Sequence, residues 1–158
     1  MFWNYRMTKR QKISTSFVSA LSAITIAGGY RTNFPTVKHW SGDIEPKENE
    51  TVVVVKDRTN VNTEDSESEK EKLIIDIHMT CCITNTNYAT ICNMIDDVKK
   101  WYHTNRKTLE VNLNVPEIHY ESDDIAIERF EKEIGAGRVT FSVITGQNSN
   151  WVYDSTEY

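Results

Sequence analysis

The stretch AITIAGGYRTNFPTVKHW, residues 23–40, decides how this chain is read. An apolar run stops at Gly28 and Gly29, then gives way to Tyr-Arg-Thr and a segment marked by Pro35. Two structures suit such a stretch: a secretion signal with its cleavage site, or the first helix of a domain turning into a strand. The apolar residues Ile13, Phe17, Ala20, Leu21 and Ile24 recur at helical spacing, interleaved with Ser19, Ser22 and Thr25. A signal core gains nothing from a polar face, whereas a helix packed on a sheet requires one. The run is also too short to span a bilayer. The reading adopted is a helix over residues 8–27, capped in left-handed conformation at Gly28 and Gly29. That reading places the chain in the cytosol, with no membrane partner.

Composition sets the outer bounds. The 158 residues suit one domain with a single sizeable core, and 39% hydrophobic with 26% charged residues excludes a disordered or membrane-embedded chain. The net charge of −5 hides an asymmetry. Residues 1–42 carry six Lys or Arg and no Asp or Glu, while the remaining 116 carry 12 basic and 23 acidic groups. Such a split fits either a solvated surface with a basic arm or a subunit whose two ends meet different partners. No stripe of basic and aromatic residues follows the N-terminal cluster, which argues against a nucleic-acid binder. The cysteines are three, Cys81, Cys82 and Cys92. An odd number with an adjacent pair points to a reducing compartment.

Downstream, residues 30–40 read as extended, with Tyr30, Thr32 and Phe34 alternating. TVVVVK, residues 51–56, is a strand buried on both faces, because four β-branched valines in a row suit no half-exposed surface. Residues 57–72 hold almost nothing apolar and read as a long mobile polar loop or the tip of an extended hairpin. LIIDIHMTCCI resumes a strand, and residues 87–104 form a second amphipathic helix with Tyr88, Ile91, Cys92, Ile95, Val98 and Tyr102 on one stripe. VPEIHYES and GRVTFSVITG are strands, and residues 146–158 form a tail with no core pattern. Between the strands, DDIAIERFEKEIG leans towards helix through Ile127, Phe130 and Ile134. The expected fold is α+β: a single domain with a mixed or antiparallel sheet of about four to six strands. Two main helices cover one face, and a long polar hairpin loop projects from it.

No catalytic signature emerges. GAGR lacks the spacing and lysine of a phosphate loop and reads as a turn. No Ser, Cys or Thr sits in a nucleophile motif. His78, Cys81 and Cys82, with Cys92, are the one conceivable metal cluster, but neighbours on a strand point to opposite faces. Asp96–Asp97 reads as solvent face beside Lys99 and Lys100, and Asp123–Asp124 has no visible pocket. The expectation is therefore a non-enzyme with no metal and no cofactor.

The order of these features resembles the tail terminator, or tail completion, proteins of long-tailed bacteriophages. A short first helix closes on Tyr30-Arg31-Thr32, a segment follows to Trp40, a strand ends at Asp57, and a later helix closes in IDDVKKWY. The likeness covers roughly residues 10–145, and it tips 123–134 from helix towards extended structure. It implies a ring, six subunits in that family, that caps the tail tube, stops its polymerisation and docks the head connector. The partners would be copies of itself, the tail tube protein and the head completion protein. Genome DNA would pass through the lumen without sequence-specific binding, at the tail–neck junction of a virion assembled in the host cytoplasm. A lumen of that kind gains from not being basic.

The interface residues this implies are Arg31, Trp40, Glu64, Asp65, Glu67, Glu69 and Trp151. Arg31 either caps the carbonyl end of the first helix or pairs with a neighbouring subunit's carboxylate. The acidic loop 64–71 lines the lumen, faces a partner or is merely solvated. Trp101 is an anchor or core. The alternatives are another head–tail joining protein of similar fold, or a small cytosolic enzyme or ligand-binding domain.

Overall fold

The computed structural model describes residues 7–42, 45–60, 72–129 and 132–144. Among these residues two helices, α1 (Lys9–Leu21) and α2 (Asn87–Leu113), accompany five strands: β1 (Lys38–His39), β2 (Thr51–Asn60), β3 (Lys72–Cys81), β4 (Glu117–Arg129) and β5 (Glu133–Ile144). The strands form one sheet in the order β1-β2-β3-β5-β4, antiparallel except where β1 runs parallel to β2. This is a single-domain α+β fold. Val53, Val55, Ile75, Ile77, Met79, Val139 and Phe141 meet both helices in one core, so the helices share one face of the sheet. Helix α1 lies over β1 and β2, and α2 over β3, β5 and β4. The centre of the core is aromatic, with Phe17, Trp101 and Phe141 at ring-centroid distances of 5.7 to 6.4 Å. Trp101 is therefore core.

Helix α1 starts with a capping box. Thr8 Oγ1 accepts from Gln11 N at 3.1 Å while Gln11 Oε1 accepts from Thr8 N at 2.8 Å. It buries Ile13, Ser14, Phe17 and Leu21, then stops six residues before the expected end at 27. The β-branched run Ile24-Thr25-Ile26 is a poor helix former, and its backbone finds better partners elsewhere. Ile24 O accepts from Phe34 N at 2.9 Å, and Ile26 N donates to the Asn33 side chain at 2.8 Å. Gly29 does take positive φ, 94°, but it closes a separate turn over Thr25–Gly28 instead of α1. Residues 30–37 are irregular, and only Lys38–His39 pairs as strand.

The valine strand is buried on both faces, with Val52 to Val55 all at most 8% exposed. It runs past its expected end, so residues 57–60 belong to β2 and Lys72 to β3, and the rest of the polar segment lies outside the described residues. The C-terminal tail 146–158 lies outside them too. Helix α2 is nine residues longer than the 87–104 of the sequence reading. An Arg106–Glu110 ion pair one turn apart at 3.3 Å and the burial of Leu109 carry it to Asn114, whose left-handed backbone ends it just before Val115-Pro116. Tyr88, expected on the core stripe, is 64% exposed, and Cys92 is half-buried.

The helical lean of 123–134 is overturned where it falls on described residues: 123–129 lie in β4 and 133–134 in β5, while 130 and 131 lie outside the described residues. A bulge between Tyr120 and Ser122 shifts the alternation by one residue. Ile118 and Tyr120 face the helices before it, and Asp123, Ile125 and Ile127 after it, which is why a uniform period of two fails on the sequence. GAGR is no turn. Gly135 and Gly137 lie inside β5 under α2, where a Cβ on Gly137 would come within 2.6 Å of Ile91 Cγ2.

Candidate functional site

Two of the segments quoted from the sequence, GYRT and DDVKK, form a single contact. Asp97, on α2, is 2% exposed and accepts from Arg31 N at 3.0 Å and Thr32 N at 2.8 Å, with the Thr32 hydroxyl donating to it as well. Lys100 Nζ donates to Gly29 O at 2.6 Å and lies 5.1 Å from the Tyr30 ring centroid. Arg31 reaches Asp96 Oδ2 at 3.4 Å across two exposed side chains. Each part of the sequence supplies what the other needs. A glycine-closed turn leaves consecutive N–H groups free, and a helix residue one turn before Trp101 presents a carboxylate to receive them. The solvent-face reading of Asp96–Asp97 therefore holds for Asp96 and fails for Asp97. The expected cap of α1 by Arg31 is also replaced, because Arg31 faces α2.

A second carboxylate fastens α1 to the sheet. Asp57 accepts from the Arg10 guanidinium and from Ser14 Oγ at 3.0 Å, and its carbonyl accepts from Arg10 Nη2 at 3.2 Å. Asn87 fastens the other end of the domain. Its Oδ1 accepts from Ile83 N at 2.7 Å, and its Nδ2 donates to Glu133 O at 3.1 Å.

The sheet face turned away from the helices carries a polar network. Asp76, 3% exposed, accepts from Arg58 Nε at 2.9 Å and from Thr140 Oγ1 at 2.7 Å. Burial by itself would raise this carboxyl, but the Arg58 and Thr140 hydrogen bonds with the Arg58 charge hold it below the ordinary value. Burial pushes neighbouring His78 down, with Asp76 partly opposing and Arg138 and Lys56 reinforcing the shift. Trp40 is 47% exposed, with Lys56 Nζ 4.4 Å from its ring centroid. A shallow hollow of about 300 Å³ lies between Trp40, Val54 and His78. Another, of about 360 Å³, is lined by Cys82, Asn87 and Glu133 among others.

Neither adjacent acidic pair gathers at one point. Asp123 faces the helix side and binds Lys99 Nζ at 2.7 Å, while Asp124 faces away and binds Arg138 at 2.7 Å. Cys81 is buried against Asn87 and its thiol is pushed up to about 11 by that burial, whereas His78 lies on the opposite face. Among the described residues no group of three or more His, Cys, Asp or Glu stands close enough to hold a metal ion, and no helix is long and apolar enough to cross a membrane.

Of the interface residues named from the sequence, the structure places Arg31 in the segment packed against α2 and Trp40 at the β1 edge, and brings neither to the other's partners. Glu64, Asp65, Glu67, Glu69 and Trp151 lie outside the described residues. Asp97 reads from the sequence as solvent face because it sits in a charged helical run, and Asp76, inside an apolar strand, is not singled out there. Asp76 did leave a trace, as the lone carboxylate inside LIIDIHM.

Neither a family model nor a curated protein matches the chain.

Proposed function

We propose that this chain is a structural virion protein of the tail-terminator kind, a ring subunit that caps a tail tube and offers a docking surface to the head connector. The observation that carries the reading is the seating of the Gly29–Thr32 turn on Asp97 and Lys100. Two of the segments quoted for the resemblance thereby pack on each other, although α1 ends at Leu21, β2 runs on to Asn60 and α2 to Leu113. The opposite ends of the sheet add support, since the basic α1 lies over β1 and the acidic β4 forms the far edge. A closed ring needs unlike surfaces on its two flanks.

On this reading the chain performs no chemistry. It works by fitting against copies of itself, the tail tube protein and the head completion protein, with the genome crossing the lumen unread. Electron microscopy of the purified chain mixed with its cognate tube protein tests it. Tubes of fixed length capped by a ring are expected. Rings located elsewhere in the neck would move the chain to another joining role, and absence of any association would overturn the proposal.

A further inference from the structure

We infer that copies of this chain join edge to edge, with β4 of one subunit against the β1–β2 edge of the next; this rests on the ring reading above. Strand β1 pairs with β2 only at Lys38↔Val54 and His39↔Val55, so among the described residues most of the ten-residue β2 has no strand on its outer side. At the other end, the thirteen residues of β4 pair with β5 and have no described strand beyond them. The outer side of β2 is closed at Val55 by Trp40 N and at Asp57 by Arg10, but its remainder and the outer side of β4 are open edges among the described residues, and such edges invite pairing with another chain.

Charge selects which edge meets which. Strand β4 carries Glu117, Glu121, Asp123, Asp124 and Glu128 against one Arg129. The β1–β2 edge carries Lys38, Lys56 and Arg58 against one Asp57, with Lys9, Arg10 and Lys12 on the helix lying over it. Several of these are satisfied within the subunit: Asp123 by Lys99, Asp124 by Arg138, Arg58 by Asp76 and Arg10 by Asp57. Lys38 and Glu128 are both exposed and have no ion-pair partner among the described residues. They are exposed charges that a second copy can pair; Lys56 and Glu121 also lack ion pairs among the described residues but are engaged by the Trp40 ring and the Ser142 hydroxyl. Two β4 edges brought together would oppose carboxylate to carboxylate, which disfavours a two-fold contact.

Strand direction agrees. Strand β4 is antiparallel to β5, β5 to β3 and β3 to β2, so β4 runs opposite to β1 and β2. Rotation of a copy about an axis along the strands lays β4 antiparallel against the next subunit's β1 edge, the commoner sense of pairing. Each edge also exposes one large apolar side chain, Trp40 at 47% and Ile125 at 37%.

Sedimentation and electron microscopy of Lys38→Glu, Glu128→Lys, their equimolar mixture and the double variant test the contact, alone and with the cognate tube protein. Assemblies are expected to disappear in each single variant and to return in the double variant. They should return in the mixture as well, where unlike edges alternate. Circular dichroism should show all variants folded, since both positions are exposed. Rings that form unchanged in both single variants would overturn this contact while leaving the ring reading in place. A wild-type chain that forms no ring even on its tube would overturn both.

Discussion

The carboxylate of Asp97 receives the backbone N–H of Thr32 at 2.8 Å across 65 residues of sequence. It is nearly buried and also binds the N–H of Arg31. Replacement by Ala leaves two backbone donors and a hydroxyl without their acceptor. Asp97→Ala is expected to cost about 2–3 kcal/mol, from the worth of hydrogen bonds to a charged group. Asp96→Ala, whose exposed pair with Arg31 spans 3.4 Å, should change stability by less than about 0.5 kcal/mol. Urea denaturation of the two variants decides the matter, and equal effects would remove Asp97 as the anchor.

Gly137 is held to glycine by the approach of α2. A Cβ there meets Ile91 Cγ2 at 2.6 Å and Ile95 Cδ1 at 3.2 Å. Gly137→Ala is expected to destabilise by about 1–3 kcal/mol through overpacking. Ile91→Ala opens a cavity at the same place, so the double variant should lose less than the two single losses combined, by about 1 kcal/mol. Strict additivity in chemical denaturation would show that the helix shifts freely over β5.

Asn87 joins three segments at the start of α2, accepting from Ile83 N and donating to Glu133 O. Asn87→Ala strips half-buried backbone groups of their partners, with an expected loss of about 1–3 kcal/mol. Hydrogen exchange should then quicken at Ile83 first. Unchanged protection at that amide would contradict the assignment.

The acid side of the stability curve should fall in two stages. Folded His78 titrates below its ordinary 6.5, so the unfolded chain takes up that proton first. The stability contributed by neutral His78 is complete above about pH 6.5 and is lost as pH falls through the lower folded value. Asp76 lies below its ordinary 3.8, so its contribution is complete above that pH and is lost on further acidification. Thermal midpoints measured from pH 7 to pH 2 should lose the first stage in His78→Gln and the second in Asp76→Asn. An Asp76→Asn variant that keeps the low-pH stage would place its origin elsewhere.

Local patterns in the chain already determined much of the architecture. The capping box Thr8–Gln11, the valine run 52–55, the alternation of Val139, Phe141 and Val143 and the helical stripe through Ile91, Ile95 and Val98 each arise from residues within a turn or two of one another. They specify an α+β domain because period and propensity act over short distances. Where α1 stops and that residues 123–129 are strand were settled by tertiary partners. Ile24 and Ile26 leave the helix for Phe34 and Asn33, and a single bulge breaks the period that would have revealed β4. The same holds for the candidate site. A carboxylate inside Ile-Asp-Asp-Val looks like one more surface charge until packing sets it against N–H groups 65 residues away. Only the folded chain brings such distant donors and acceptors together, because a buried polar group must find a partner wherever the packing of helix on sheet leaves one.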